Sequence, residues 1–234
     1  MPTTTRPTRR EERRAQTVRE IKDLAMDQVS AGGPESVSLS RIVRAMSMSP
    51  AALYRYFASR DALLADLVVD AYDDLADHLA TVGRPGASPE DHLDAVLRGT
   101  RAWAAEHPNA YRLVFGTSTG NGRELAPDRT VPASTRSMSV LVGALAAVAG
   151  HRPVPRPPRS VAEDGLDRAV AVVAEHAGFT DVRPEVLALA FLTWTRLHGI
   201  ISLELAGHLA ATGVGADALL EAELATIKAA AAEL

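Results

Sequence analysis

Residues 37–60 read VSLSRIVRAMSMSPAALYRYFASR, and the spacing inside this stretch predicts two short helices separated by a tight turn. In the first, Leu39, Ile42, Val43 and Met46 recur at the three- and four-residue intervals of one buried face, and Ser38 is placed to cap the start by accepting a backbone N–H. A turn at Ser47-Met48 follows. Ser49 caps the second helix and Pro50 takes its first position, where a missing N–H breaks no hydrogen bond. Leu53 and Phe57 then point inward, leaving Ala51, Ala52, Tyr54, Arg55 and Tyr56 outside. Small residues at the leading end and donors at the trailing end suit a helix that enters the DNA major groove by its N-terminus and holds phosphates at its far end. On that division Ser49, Ala51, Ala52 and Arg55 are candidates for base edges, and Ser38, Tyr54, Tyr56 and Arg60 for phosphates.

The distribution of charge agrees. Residues 1–60 hold 11 Lys and Arg against 6 Asp and Glu, the remainder holds 14 against 23, and the whole chain carries −4. A basic head on an acidic body is the balance expected of a DNA reader joined to a domain with other business. Residues 1–9 are expected to be a disordered arm whose Arg6 and Arg9, with Arg10 beside them, either reach phosphates or merely solubilise the tail.

The rest of the chain reads as helix after helix, with neither a period-two strand nor an internal repeat. A helix over about 10–31 lays Val18, Ile21, Ala25 and Val29 on one stripe and ends at Gly32-Gly33-Pro34. Another over about 60–82 buries Leu63, Leu64, Leu67, Val68, Ala71, Leu75 and Leu79, while its exposed acidic face, Asp70, Asp73, Asp74 and Asp77, keeps all but its first turn from DNA. Ser88 caps the next, which runs to about His107, and Pro108 opens a short one through Phe115. The stretch 116–132, GTSTGNGRELAPDRTVP, reads as a long loop. Helices are expected at about 133–149, 161–177, 184–209 and 215–233, with the proline-rich 150–160 as an extended connector. The fold class is therefore all-α: a helix-turn-helix domain over 10–60, then a linker helix and a regulatory and dimerisation domain over 61–234. The helix at 184–209 is apolar around nearly its whole circumference, so one face is expected on its own body and another on a second subunit, with Gly199 and Gly207 permitting close approach.

LYRYFASRDALL, preceded by S-x-x-x-I-V-x-x-M-S-M-S, resembles the DNA-binding domain of the tetracycline-repressor (TetR) family of bacterial transcriptional regulators. The match is carried by Ser49, Leu53, Tyr54, Tyr56, Phe57 and Arg60. The chain departs from the pattern at Ser47, where the family most often has glycine, which predicts a strained left-handed residue at a cost of roughly 1 kcal/mol. Farther on, WTRLHG at 194–199 with its continuation to His208 resembles the Trp-His-Gly signature of one C-terminal domain type of these regulators, and HPNAYRLVFG at 107–116 fits the same subgroup. The resemblance implies a homodimer through a four-helix interface of the late helices, a palindromic double-stranded operator, and a small-molecule effector. It brings together Trp103, Tyr111, Phe115, Trp194 and His198, which are either pocket walls or plain core; Arg112 and Arg196 would matter for an acidic ligand. A repressor acting in the cytoplasm is the expected role.

Other chemistry finds little support. The chain has no cysteine, so disulfides and thiolate-bound zinc are excluded. The seven histidines, at 78, 92, 107, 151, 176, 198 and 208, show no metal-ligand spacing, and Glu204/His208 lacks a third ligand. No nucleophile elbow, phosphate loop or dinucleotide fingerprint is present, so neither enzyme activity nor a cofactor is expected. The polar N-terminus resembles no targeting segment, and no uninterrupted apolar run approaches the roughly 20 residues of a membrane span. Two alternatives stay open: a ligandless DNA-binding or assembly protein, and a helical enzyme with an accessory DNA-binding domain.

Overall fold

The computed structural model describes residues 8–116, 125–150 and 181–234, together with 165, 166, 168–170, 172, 174, 175, 178 and 179. Every regular element among them is helical: α1 (Arg9–Gly32), a 3-10 turn (Pro34–Ser36), α2 (Leu39–Ala45), α3 (Pro50–Tyr54), α4 (Arg60–Thr81), α5 (Pro89–Glu106), α6 (Pro108–Tyr111) continuing as a π-turn (Arg112–Gly116), α7 (Pro127–Ala149), α8 (Pro184–Leu205) and α9 (Ala216–Ala232). Of the helix expected at 161–177, the described positions from 165 to 175 are helical. The connector at 151–160 and most of the glycine-rich stretch, 117–124, lie outside the described residues.

The chain forms two compact units, Met1–Asp70 with Asn109–Thr130, and Ala71–Pro108 with Val131–Leu234. The first unit runs past residue 60. The first half of α4 belongs to the head because Leu63, Leu64 and Leu67 join Ile21, Ala25, Val29, Val37, Ile42, Leu53 and Phe57 in one apolar cluster. Leu113, from a segment the sequence assigned to the body, joins them too. Burial, rather than order along the chain, decides membership.

In the first unit, α1 begins on a capping box: the Thr8 hydroxyl accepts from the Glu11 N–H while the Glu11 carboxylate accepts from the Thr8 N–H at 2.7 Å. Arg9 is therefore helical, as Arg10 was expected to be, rather than part of a disordered arm; residues 1–7, Arg6 included, lie outside the described residues. The turn between α2 and α3 closes as a Schellman motif, with the Met48 N–H on the Val43 carbonyl at 3.1 Å and the Ser47 N–H on the Arg44 carbonyl at 3.2 Å. Ser47 occupies the left-handed position at φ 52°, as its missing glycine predicts.

In the second unit, α8 packs on α9 and both pack on α5. Gly99 of α5 admits the end of α4, since a Cβ there would stand 2.8 Å from Val82 Cγ1. Ser88 caps α5 with its hydroxyl 3.1 Å from the Asp91 N–H, as expected. The acidic residues of α4 are more engaged than their exposure implied. Arg136 of α7 binds Asp73 and Asp77, and the Trp103 indole N–H donates to Asp74 at 2.7 Å. Arg101 forks onto Glu204 at 2.7 and 2.6 Å and reaches Asp217 at 2.5 Å, joining α5 to α8 and α9.

Two helix limits differ from expectation. α7 starts at Pro127 rather than 133, because Pro127 opens it and Pro132 is carried inside the helix, where it forgoes one backbone hydrogen bond. α8 ends at Leu205 rather than 209. Gly207, at φ 75°, stops it in a second Schellman motif, with the His208 N–H on the Leu203 carbonyl at 3.0 Å. Gly199 faces open space within the protomer. α7 and α8 have the length and mean hydropathy to cross a bilayer although charged residues interrupt both, and a third and a half of their apolar windows, respectively, are buried inside the protein.

Candidate nucleic-acid interface

Two short helices held at a fixed angle by a packed seam leave a third face free for recognition, and α3 supplies it here. Leu53 is fully buried and Phe57 nearly so, which anchors α3 to the core by two side chains on one face. The opposite face presents Ala51, Tyr54 and Arg55 to solvent, with Ala52 and Tyr56 partly covered. Tyr54 is 55% exposed, a large aromatic group left open to solvent. Ser49 accepts the Ala52 N–H at 3.2 Å, so its hydroxyl caps the helix and keeps its own proton for donation.

Two of the expected phosphate ligands have other work inside the head. Ser38 has the extended backbone of a cap, but its hydroxyl makes no capping bond; it pairs with the Ser40 hydroxyl at 2.9 Å while its N–H donates to Gln28 Oε1 at 2.8 Å. Arg60 is directed inward. Its Nε donates to the Val37 carbonyl at 3.0 Å and its Nη2 to the Pro34 carbonyl at 2.6 Å, with Glu35 and Asp61 alongside at 3.2 and 3.5 Å. The guanidinium thus clasps the 3-10 turn to the start of α4. The planar guanidinium meets the two carbonyls through two different nitrogens of one rigid fork, a geometry that a single ammonium does not reproduce.

The sequence reading missed the other wall. Arg13 and Arg14 of α1 stand with Arg9 and Arg10 beside α3, and together with Thr17, Arg55 and Tyr56 they line one open groove. The Arg14 guanidinium lies over the Tyr56 ring, 5.0 Å from its centroid. The available signal was the three- and four-residue spacing of Arg10, Arg13, Arg14 and Thr17 on the expected helix, with the Thr8-x-x-Glu11 capping box adding Arg9 to it.

The aromatic set divides between the units. Tyr111 and Phe115 lie in the first, with ring centroids 5.1 Å apart. Trp103, Trp194 and His198 lie in the second. Trp103 is 1% exposed and its indole N–H donates to Asp74. Phe191, Trp194 and His198 make an edge-on aromatic row along α8, with centroids 6.2 and 5.3 Å apart. Burial pushes the His198 imidazole down to about 4, so the ring is neutral at physiological pH. Arg196 pairs with Glu223 at 3.5 Å. Among the described residues no group of three or more His, Asp or Glu is placed to hold a metal.

Residues 21–67 match the family described as bacterial regulatory proteins, tetR family, and residues 93–227 match the tetracyclin repressor-like C-terminal domain. The second match alone covers more than half of the chain. This protein belongs to the TetR family. HTH-type transcriptional regulators of Mycobacterium bovis and Mycobacterium tuberculosis are each 33% identical over 223 residues, covering 93% of this chain and 91% of theirs. The crystal structure of the regulatory protein SCO4313 superposes with a TM-score of 0.76 at 35% identity, covering 94% of this chain and 98% of that one. A TetR-like transcriptional regulator from Rhodococcus sp. RHA1 shares the fold at 17% identity, with a TM-score of 0.51 over 97% of this chain and 96% of that one. The chain is thus a DNA-binding transcriptional regulator of a family whose members are not enzymes.

Proposed function

We propose that the protein is a homodimeric, ligand-responsive repressor acting in the cytoplasm, and that its two heads engage the half-sites of a palindromic operator. The observation that carries this is the exposed face of α3 beside an unneutralised row of arginines on α1. Ala51 and Ala52 let the helix approach the groove floor, and Ser49 and Arg55 supply donors for base edges. Tyr54 and Tyr56 donate to phosphate. Arg60 acts one step back, by holding the turn that positions α2 and α3. The effector is an apolar or aromatic molecule that meets the Phe191–Trp194–His198 row of the body. Such a molecule releases DNA only through unequal affinity for two head spacings, and a coupling of about 1–3 kcal/mol corresponds to roughly 5–150-fold in operator affinity.

A filter-binding titration against operator and random DNA, repeated over a range of salt, tests the division of roles. Arg55→Ala is expected to lose about 1–3 kcal/mol of operator affinity and little of the random-sequence component. Arg60→Ala is expected to lower the melting temperature of the head and to weaken both DNAs in proportion to the folded fraction. Equal loss of sequence preference from the two variants, with unchanged melts, would refute the assignment.

A further inference from the structure

We infer that the arginine face of α1 is a second phosphate-binding row flanking the recognition helix, and that Arg14 positions Tyr56 through their stacked contact. This rests on the DNA-binding reading above and gives the α1 arginines, to which that reading assigns no contact, a separate role each. Arg10, Arg13, Arg14 and Thr17 follow one another at three-, one- and three-residue steps, which places them on one side of the helix. All three arginines are exposed. None of them, nor Arg55 across the groove, forms an ion pair among the described residues. The one carboxylate lining the groove, Glu11, is occupied by the Thr8 N–H and hydroxyl at 2.7 and 2.9 Å.

Folding alone gives no reason for this arrangement. Cations in the first turns of a helix oppose its dipole, and like charges four residues apart, as at Arg9/Arg13 and Arg10/Arg14, repel. Each effect is a few tenths of a kcal/mol and unfavourable. The cluster becomes favourable when polyanion covers it, and the occupant is set by continuity: Arg55 and Tyr56 belong to the groove and to the end of the recognition element. The sugar-phosphate strand beside the segment read by α3 meets that condition. Arg14 has a different part. Its guanidinium over the Tyr56 ring restricts where the phenol oxygen points, so the phosphate contact of Tyr56 is pre-aimed.

The test compares the full-length protein with Arg10→Ala/Arg13→Ala, Arg10→Lys/Arg13→Lys and Arg14→Lys variants, on operator and random duplex at several salt concentrations. The alanine pair is expected to weaken both duplexes by the same factor, about tenfold or more at 0.1 M salt, and to reduce the slope of log K against log salt by about 2 for each head engaged. The lysine pair should keep the wild-type slope, and neither pair should melt earlier than wild type. Arg14→Lys, which keeps charge without the planar stack, is expected to keep the slope but lower the operator-to-random ratio. An unchanged slope in the alanine pair, with wild type still binding operator, overturns the second row alone; an unchanged ratio in Arg14→Lys overturns the positioning role. Wild type without affinity for any DNA would overturn this inference together with the functional reading.

Discussion

Ser47 shows how one residue can keep a fold and strain it. The Schellman turn between α2 and α3 requires a left-handed residue, and Ser47 supplies it at φ 52° despite its Cβ. Ser47→Gly is expected to raise stability by about 1 kcal/mol, since relief of the left-handed strain outweighs the greater freedom of glycine in the unfolded chain. Urea denaturation of the two proteins measures it, and a loss of stability would show that the strain lies elsewhere. His198 makes a second prediction at this scale. Its folded value of about 4 lies below the ordinary 6.5, so between those pH values the unfolded chain binds the extra proton. Stability contributed by the neutral ring is complete above about 6.5 and is lost progressively as pH falls toward 4. The loss is about 2–3 kcal/mol, reduced somewhat by partial solvent access. Melting curves of wild type and His198→Gln between these limits should converge on acidification, and parallel curves would exclude His198 as the cause.

Among the elements, α5 is the one on which the body is assembled. Arg98, Arg101 and Asp94 on its outer side pair with Glu221, with Glu204 and Asp217, and with Lys228, tying α8 and α9 to it. Arg101 is the least exposed of these cations, and its fork onto Glu204 is bidentate. Its charge is held by the two carboxylates, Glu204 foremost, which raise the guanidinium further above its already high range. Arg101→Ala is expected to cost about 1.5–3 kcal/mol, and Arg101→Lys to recover less than half, because an ammonium cannot reproduce the planar fork. Thermal melts give the comparison, and full rescue by lysine would reduce the contact to simple charge attraction.

At the scale of the whole molecule, two-fold operator recognition needs a second copy of the chain, and α8 is where it is proposed to dock. Leu192 and Leu203 remain 40% and 45% exposed on a helix whose other side is core. Leu203→Glu places a charge on that free side without entering the protomer core. It is expected to shift sedimentation at micromolar concentration from dimer toward monomer. Operator affinity should fall by far more than one lost contact explains, since the half-sites are then bound independently. A dimer that survives this substitution would place the interface on another face.

What the sequence determined by itself was much of what is governed by neighbours along the chain: helix periodicity, the caps at Ser49 and Ser88, the turn strain at Ser47, and the motif residues that carry the family. These follow from interactions spanning one or two turns, and the local pattern suffices to predict them. Thr8 and Glu11 were equally local and were passed over. The tertiary structure alone decided what depends on partners distant in sequence. Arg60 meets the carbonyls of Pro34 and Val37, and the acidic face of α4 is bound by Arg136 and Trp103. The aromatic set is divided between two units. A charged or aromatic side chain carries no mark of its partner, because the same donor satisfies a carbonyl, a carboxylate or a phosphate, and only the packing of distant elements selects among them.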